Sequence, residues 1–227
     1  MRRAARKPAR RRRSPAEIVR IAEIFARFEQ AQSDPRTELA YNTPYTLLVA
    51  VVLSAQATDK SVNKATEQLF RVADTPWKML ELGEAGLTPY IASIGLFRTK
   101  AKNVVALSRI LVDRYGGETP LNRAALQELP GVGRKTASVV LNELGIEPAI
   151  AVDTHVFRVA HRLGLSKGKT PEDVEHDLLA IVPETGKTRA HHWLILHGRY
   201  VCVARKPRCG ECLVADLCPS RELFLGA

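Results

Sequence analysis

Leu129-Pro130-Gly131-Val132-Gly133-Arg134-Lys135-Thr136-Ala137 interrupts two segments whose apolar residues recur at helical spacing. Two glycines around one apolar residue allow a sharp turn, because glycine enters backbone regions closed to other residues. They also leave the backbone N–H groups of the turn uncovered by side chains. At the start of the next helix, such amides form an anion site suited to a phosphate. The apolar residues on either side can lock the two helices together.

Gly-x-Gly alone fits an ordinary helix–helix turn equally well. The whole nine-residue run is far more specific and reads as a helix–hairpin–helix, a grip on a nucleic-acid backbone that ignores base sequence. Working outward from it, helix-start signals recur and strand signals do not. Ser14-Pro15-Ala16-Glu17 reads as an N-cap, a proline at the first helical position and a capping-box glutamate. Thr-Pro recurs at 43–44, 75–76, 88–89, 119–120 and 170–171, where threonine can cap and proline's fixed φ can open the helix. Ile18, Ile21, Ile24 and Phe25 make one apolar stripe, and Val104, Val105, Leu107, Ile110 and Leu111 another. Gly116-Gly117, Gly145 and Gly164 sit where helices should stop. The expectation is an all-α protein of about ten short helices, without internal repeats.

The 227 residues carry a formal net charge of +10, but unevenly. Residues 1–13 hold eight Lys and Arg and no acid, leaving 26 basic against 24 acidic residues elsewhere. Binding to a polyanion must therefore come from local patches and from this arm, not from a global field. The arm reads as disordered and as a source of non-specific, salt-sensitive affinity. It lacks the apolar segment of a secretory signal, and its arginine-rich, acid-free character leaves organellar targeting open. No stretch approaches the roughly 18 to 20 consecutive apolar residues of a membrane-spanning helix. The longest apolar run, residues 47–53, reads as a buried helix.

Lys135 falls in the first turn after the hairpin. A lysine there ordinarily contacts phosphate or solvent. Three features single it out: the adjacent phosphate grip, the partial positive charge of the helix N-terminus, and the like charge of Arg134. They matter because only the neutral amine is a nucleophile, and an ordinary lysine is neutral only ~0.1% of the time near pH 7.4. Eighteen residues on, Asp153 lies in Ala151-Val152-Asp153-Thr154-His155-Val156, just before an apolar-periodic helix. It reads as an N-cap, and also as a carboxylate able to stabilise positive charge on a sugar or to manage the lysine proton. An ionised aspartate beside Lys135 would raise the lysine pKa; the sequence leaves open which effect dominates.

Cys202, Cys209, Cys212 and Cys218 lie within seventeen residues as C-x6-C-x2-C-x5-C. Four thiolates so close in an otherwise cysteine-free chain read as a metal site. Structural zinc usually pairs two short C-x2-C knuckles, and here there is only one. Spacing alone leaves zinc and a [4Fe–4S] cluster both open. Arg205, Lys206 and Arg208, in the loop between the first two cysteines, suit phosphate contacts or a solvated surface equally well.

Together and in this order, the hairpin with its lysine, the Val-Asp-Thr-His-Val segment and the cysteine spacing resemble the endonuclease III family of DNA glycosylase/abasic-site lyases. Leu53-Ser54-Ala55-Gln56-Ala57-Thr58-Asp59, Ile94-Gly95-Leu96 and His192-Trp193-Leu194-Ile195-Leu196-His197-Gly198 add to the likeness, which covers about residues 15–220. The resemblance implies two helical domains flanking a DNA-binding cleft, with a C-terminal iron–sulfur cluster loop. One is a six-helix barrel over 37–147 containing the hairpin. The other joins 15–36 to 148–227, and 1–14 form the basic disordered arm. It implies a [4Fe–4S] cluster on the four cysteines, Lys135 as Schiff-base nucleophile and Asp153 as essential carboxylate. Gln56 and Leu96 would enter the DNA stack, and Gly131, Val132, Gly133, Arg134, Arg205, Lys206 and Arg208 would hold the backbone. The implied activity is excision of oxidised pyrimidines from duplex DNA, followed by β-elimination 3′ to the abasic site. The implied partner is double-stranded DNA carrying damaged pyrimidines or abasic sites, bound by a monomer with no membrane, in the cytoplasm at a bacterial nucleoid. A monofunctional mismatch or adenine glycosylase, which lacks the lysine, and a non-enzymatic DNA-binding module are the alternatives.

Overall fold

The computed structural model describes residues 13–224. The basic arm expected over 1–14 therefore lies, up to residue 12, outside the described residues. Ten α-helices form, and no β-strand occurs among the described residues. They are α1 (Pro15–Ala31), α2 (Pro44–Ser54), α3 (Asp59–Val72), α4 (Pro76–Ile91), α5 (Phe97–Tyr115), α6 (Arg123–Gln127), α7 (Arg134–Glu143), α8 (Thr154–Arg162), α9 (Pro171–Leu179) and α10 (Lys187–Tyr200). Short 3₁₀ turns follow at Cys209–Glu211, Ala215–Leu217 and Arg221–Phe224.

Most of these helices start where their capping chemistry places them. Ser14 accepts from the Glu17 amide while Glu17 reaches back to the Ser14 amide, a complete capping box. Thr43, Thr75 and Thr170 cap α2, α4 and α9, each with proline in the first turn. The other two Thr-Pro pairs do not start helices. Gly83 (φ 63°) kinks α4, so Thr88 and Pro89 fall inside its second half, and Thr88 Oγ1 donates to Glu84 O at 2.7 Å. Thr119-Pro120 precedes α6, but Asn122 takes the cap, its side chain accepting from the Ala125 amide. A cap motif predicts a start only where no nearer residue claims the role.

Burial divides the helices between two apolar clusters. The first is built on α2, with 47–53 buried, and gathers Leu69, Met79, Leu87, Ile91, Val104, Leu107, Leu111, Leu126 and Leu141. The second joins α1 (Ile21, Ile24, Phe25, Phe28) to α8, α9 and α10 through Val159, Leu178 and Leu194. On α1 the buried stripe runs one turn further toward the C-terminus than the sequence suggested: Phe28 is in, and Ile18 is 57% exposed. Val105 and Ile110 on α5 pack only partly against the first cluster. Gly116, Gly145 and Gly164 adopt φ of 56°, 68° and 65° just past α5, α7 and α8, the left-handed ends expected of them. No described helix is long and apolar enough to cross a membrane.

The two clusters are tied by polar links that cross between their helices. Asn142 on α7 donates to Thr188 O at 2.8 Å and accepts from the Ala149 amide at 3.0 Å. Arg134 on α7 pairs with Glu175 on α9 at 2.9 Å, and His192 on α10 with Glu143 on α7 at 3.0 Å. Arg199 on α10 bridges Glu38 and Asp59.

Candidate active site and cluster loop

The hairpin sits between α6 and α7. Leu126, Leu129, Val132, Ala137, Val140 and Leu141 are all buried in the first cluster, and they clamp the two helices together. Arg123 fixes their angle from outside, donating to Ser138 at 2.7 Å and to Glu147 at 2.8 Å. Gly131 adopts φ 80°, which only glycine tolerates cheaply. The Val132 side chain is 5% exposed and its amide donates to Leu129 O at 3.0 Å, so neither is available to a ligand. Gly133 is the N-cap of α7, and no side chain caps that helix. The open first-turn amides therefore start at Gly133, one residue later than the centre of the motif.

Lys135 is the second residue of α7 and is exposed. Arg134, whose like charge was expected to act on Lys135, is paired with the nearly buried Glu175. Much of the repulsion that Arg134 was expected to exert on Lys135 is thereby offset. Asp153 is the N-cap of α8. Its Oδ1 accepts from the His155 and Val156 amides, both at 2.8 Å, which leaves Oδ2 out of the capping. Lys135 and Asp153 line one cleft of about 540 Å³ between the helices of the two clusters. Thr136, His155, His191, His192, Arg199 and Gln56 share its walls.

Gln56 and Leu96 are the only non-glycine residues with positive φ among the described residues, at 56° and 60°. Such a conformation costs about 1–2 kcal/mol for an L-residue. Both side chains are exposed, Leu96 by 61%, and their loops adjoin: a Cβ on Gly95 would lie 3.8 Å from Gln56 O. Each strained loop presents an exposed side chain, one polar and one apolar, instead of packing it.

The four cysteines form no disulfide and line a common pocket with Arg162, His197, Arg208 and Phe224. Burial pushes the Cys212 and Cys218 thiols up, and the neighbouring cysteine sulfurs push the same way. Four thiolates here need a compensating cation. Among the described residues no group of three or more His, Cys, Asp or Glu is arranged to hold a metal ion. Four cysteine sulfurs lining one pocket supply the all-thiolate donor set that an iron–sulfur cluster takes. Arginines from α1 and α8 hold the loop by its carbonyls: Arg20 on Leu217 at 2.9 Å, Arg158 on Cys202 at 3.0 Å, Arg162 on Val203 at 2.8 Å. Arg205, Lys206 and Arg208 are exposed on the same loop, Arg208 lying 3.8 Å from Glu211.

The model of the HhH-GPD superfamily of base excision DNA repair proteins matches residues 49–184, and that of the iron–sulfur binding domain of endonuclease III matches 202–218. Endonuclease III of Haemophilus influenzae is 56% identical over 200 residues, covering 88% of this chain and 95% of its own. That of Rickettsia conorii is 59% identical over 203 residues, covering 89% and 96%. A solved structure of a trapped endonuclease III–DNA covalent intermediate superposes with a TM-score of 0.85 at 41% identity, over 92% of this chain and 98% of that one. The chain belongs to the endonuclease III family. It is a base excision repair glycosylase and abasic-site lyase, and its cofactor is a [4Fe–4S] cluster. Cys202, Cys209, Cys212 and Cys218, the span matched by the iron–sulfur model, are the residues that would hold it.

Several residues in and behind the cleft of this endonuclease III family protein escaped the sequence reading. Glu143, Tyr41, His191 and Arg199 carry no local motif. Glu143 gathers the Tyr41 hydroxyl at 3.0 Å and His192 at 3.0 Å, and Arg199 gathers two acids, all from elements distant in sequence. The His191-His192 pair was the only available signal, and a doublet on an apolar helix ordinarily reads as packing.

Proposed function

We propose that this enzyme excises oxidised pyrimidines from duplex DNA through an imine on Lys135 and then cuts the strand 3′ to the abasic site. The observation that carries the reading is the meeting of Lys135 and Asp153 in one cleft, each at the N-terminus of a helix, beside an uncapped hairpin suited to a phosphate. A relative of the same fold forms a trapped covalent intermediate with DNA.

In this scheme the amides from Gly133 onward and the basic loop at Arg205, Lys206 and Arg208 hold the backbone. Gln56 and Leu96 fill the gap as the damaged nucleotide swings into the cleft, at a few kcal/mol of unstacking that is smallest for a lesion. The Lys135 Nζ lone pair attacks C1′, the glycosidic bond breaks, and the base leaves with its electron pair and takes up a proton. Asp153, fixed through Oδ1, stabilises the positive charge that develops on the sugar. Loss of a proton from nitrogen and opening of the sugar ring give the imine. The imine acidifies C2′–H; removal of that proton expels the 3′ phosphate by β-elimination. When bound, the cluster cross-links the C-terminal loop into a rigid support for its basic residues, and its binding contributes folding energy.

Borohydride trapping on duplexes holding one abasic site or one oxidised thymine tests the reading. Wild type is expected to give a covalent adduct. Lys135→Ala is expected to give none, to lose excision and strand cutting, and still to bind. An adduct from the variant would move the nucleophile elsewhere, and no adduct from cluster-loaded wild type would favour a monofunctional glycosylase or a binding module.

A further inference from the structure

His191 stands on α10 in the wall of the cleft, 4% exposed, and its Nδ1 has no hydrogen-bond partner. Unpaired buried polar atoms are rare in folded proteins, and each calls for a physical reason. Its neighbour needs none: His192 Nε2 lies 3.0 Å from Glu143 Oε2. The two rings meet edge-on, 5.1 Å between centroids, so neither satisfies the other. Burial pushes the His191 imidazole down to about 3, with the charges of His192, Lys135 and Arg199 acting the same way. At neutral pH the ring is uncharged, with one N–H and one lone pair. Nδ1 has neither a donor nor an acceptor beside it, and we take the tautomer protonated on Nε2, which leaves the lone pair on Nδ1.

That lone pair lacks a donor. Among the cationic side chains of the cleft, Arg199 is held by Glu38 and Asp59, and Arg36 by Asp34 at 3.0 Å. Lys135 makes no ion pair among the described residues, and it lines the same cleft as His191. We propose that His191 is a positioning residue for the nucleophile: its neutral Nδ1 accepts a hydrogen bond from Lys135 Nζ once the damaged nucleotide fills the cleft, and so aims the amine lone pair at C1′. No proton changes hands. A neutral acceptor holds the amine without the added negative charge by which Asp153, on the facing α8, would favour the ammonium. Bonds of this kind are commonly unformed in a free enzyme and tighten only on the substrate.

The inference rests on Lys135 being the nucleophile, and the test separates the two. Cluster-loaded wild type, Lys135→Ala, His191→Leu and His191→Asn would be compared in single-turnover borohydride trapping on an abasic duplex, from pH 6 to 9, with DNA affinity measured alongside. Asparagine can place an oxygen near the Nδ1 position. His191→Leu is expected to slow adduct formation on the order of 10- to 100-fold with affinity unchanged and an altered pH profile, and His191→Asn to recover most of the rate. A wild-type rate in His191→Leu would overturn the inference alone, as would equal slowing in both variants with an unaltered pH profile. Absence of an adduct in wild type would overturn the Lys135 reading and this inference with it.

Discussion

Gly131 and Gly133 are two residues apart in one motif, yet replacing each with alanine should affect different properties. At Gly131 the backbone has φ 80°, and an added Cβ would lie 3.0 Å from Asn103 Nδ2, 3.1 Å from Asn103 Cβ and 3.2 Å from Val52 Cγ1. The left-handed conformation costs about 1–2 kcal/mol in an L-residue. Crowding of the buried Val52 adds about 1 kcal/mol, at the low end for overpacking. The less flexible unfolded chain returns about 0.4–1 kcal/mol. The net loss is about 2 kcal/mol, or roughly 4–8 °C in melting temperature for a chain of this size. At Gly133 φ is −86° and ψ −179°, open to any residue, and nothing lies within 4 Å of the added Cβ. The methyl group would stand where a phosphate approaches the first-turn amides. Gly133→Ala should therefore melt within a degree or two of wild type but bind abasic duplex about 10-fold more weakly, the scale of one hydrogen bond to a charged group. Thermal melts of the cluster-loaded protein and fluorescence anisotropy on labelled duplex read the two effects separately. Equal melting losses in both variants, or wild-type affinity in Gly133→Ala, would refute the assignment of Gly131 to the turn and Gly133 to the phosphate.

Asp153→Asn keeps an N-cap as good as aspartate and should melt like wild type, whereas Asp153→Ala should lose about 1 kcal/mol; both should lose excision, and an active asparagine variant would reduce Asp153 to a cap. Glu143 supplies a pH test. Burial alone would raise its carboxyl, but His192, Tyr41 and the Thr37 amide outweigh that and hold it below the ordinary carboxylate range. A depressed folded-state pKa stabilises the fold above the unfolded value, ~4.3, and that contribution disappears as pH falls through the folded value. Glu143→Gln should thus be less stable at pH 7 and lose less on acidification, and melting curves from pH 7 to 3 with parallel slopes in both proteins would count against the pair.

The all-α character, the starts of α1, α2, α4 and α9 and the left-handed ends of α5, α7 and α8 were legible because they are set within a turn of chain. Ser14 and Glu17 are three residues apart, and a Thr-Pro step carries its own cap and its own φ. The same locality misled at Thr88-Pro89 and Thr119-Pro120, where a kink at Gly83 and a competing cap at Asn122 took precedence. Lys135, Asp153 and the cysteines could be singled out as candidates from sequence because each belongs to a short, chemically unusual run. What only the tertiary structure decided is what those residues face. Arg134 is quenched by Glu175, forty-one residues on. Val132 turns into the core, so the open first-turn amides begin at Gly133. His191 becomes a buried ring with a partnerless Nδ1 in the cleft that Lys135 lines, because α10 packs against α8. Charge state and hydrogen-bond vacancy depend on burial and on neighbours brought together from distant segments, and no local pattern of residues encodes either.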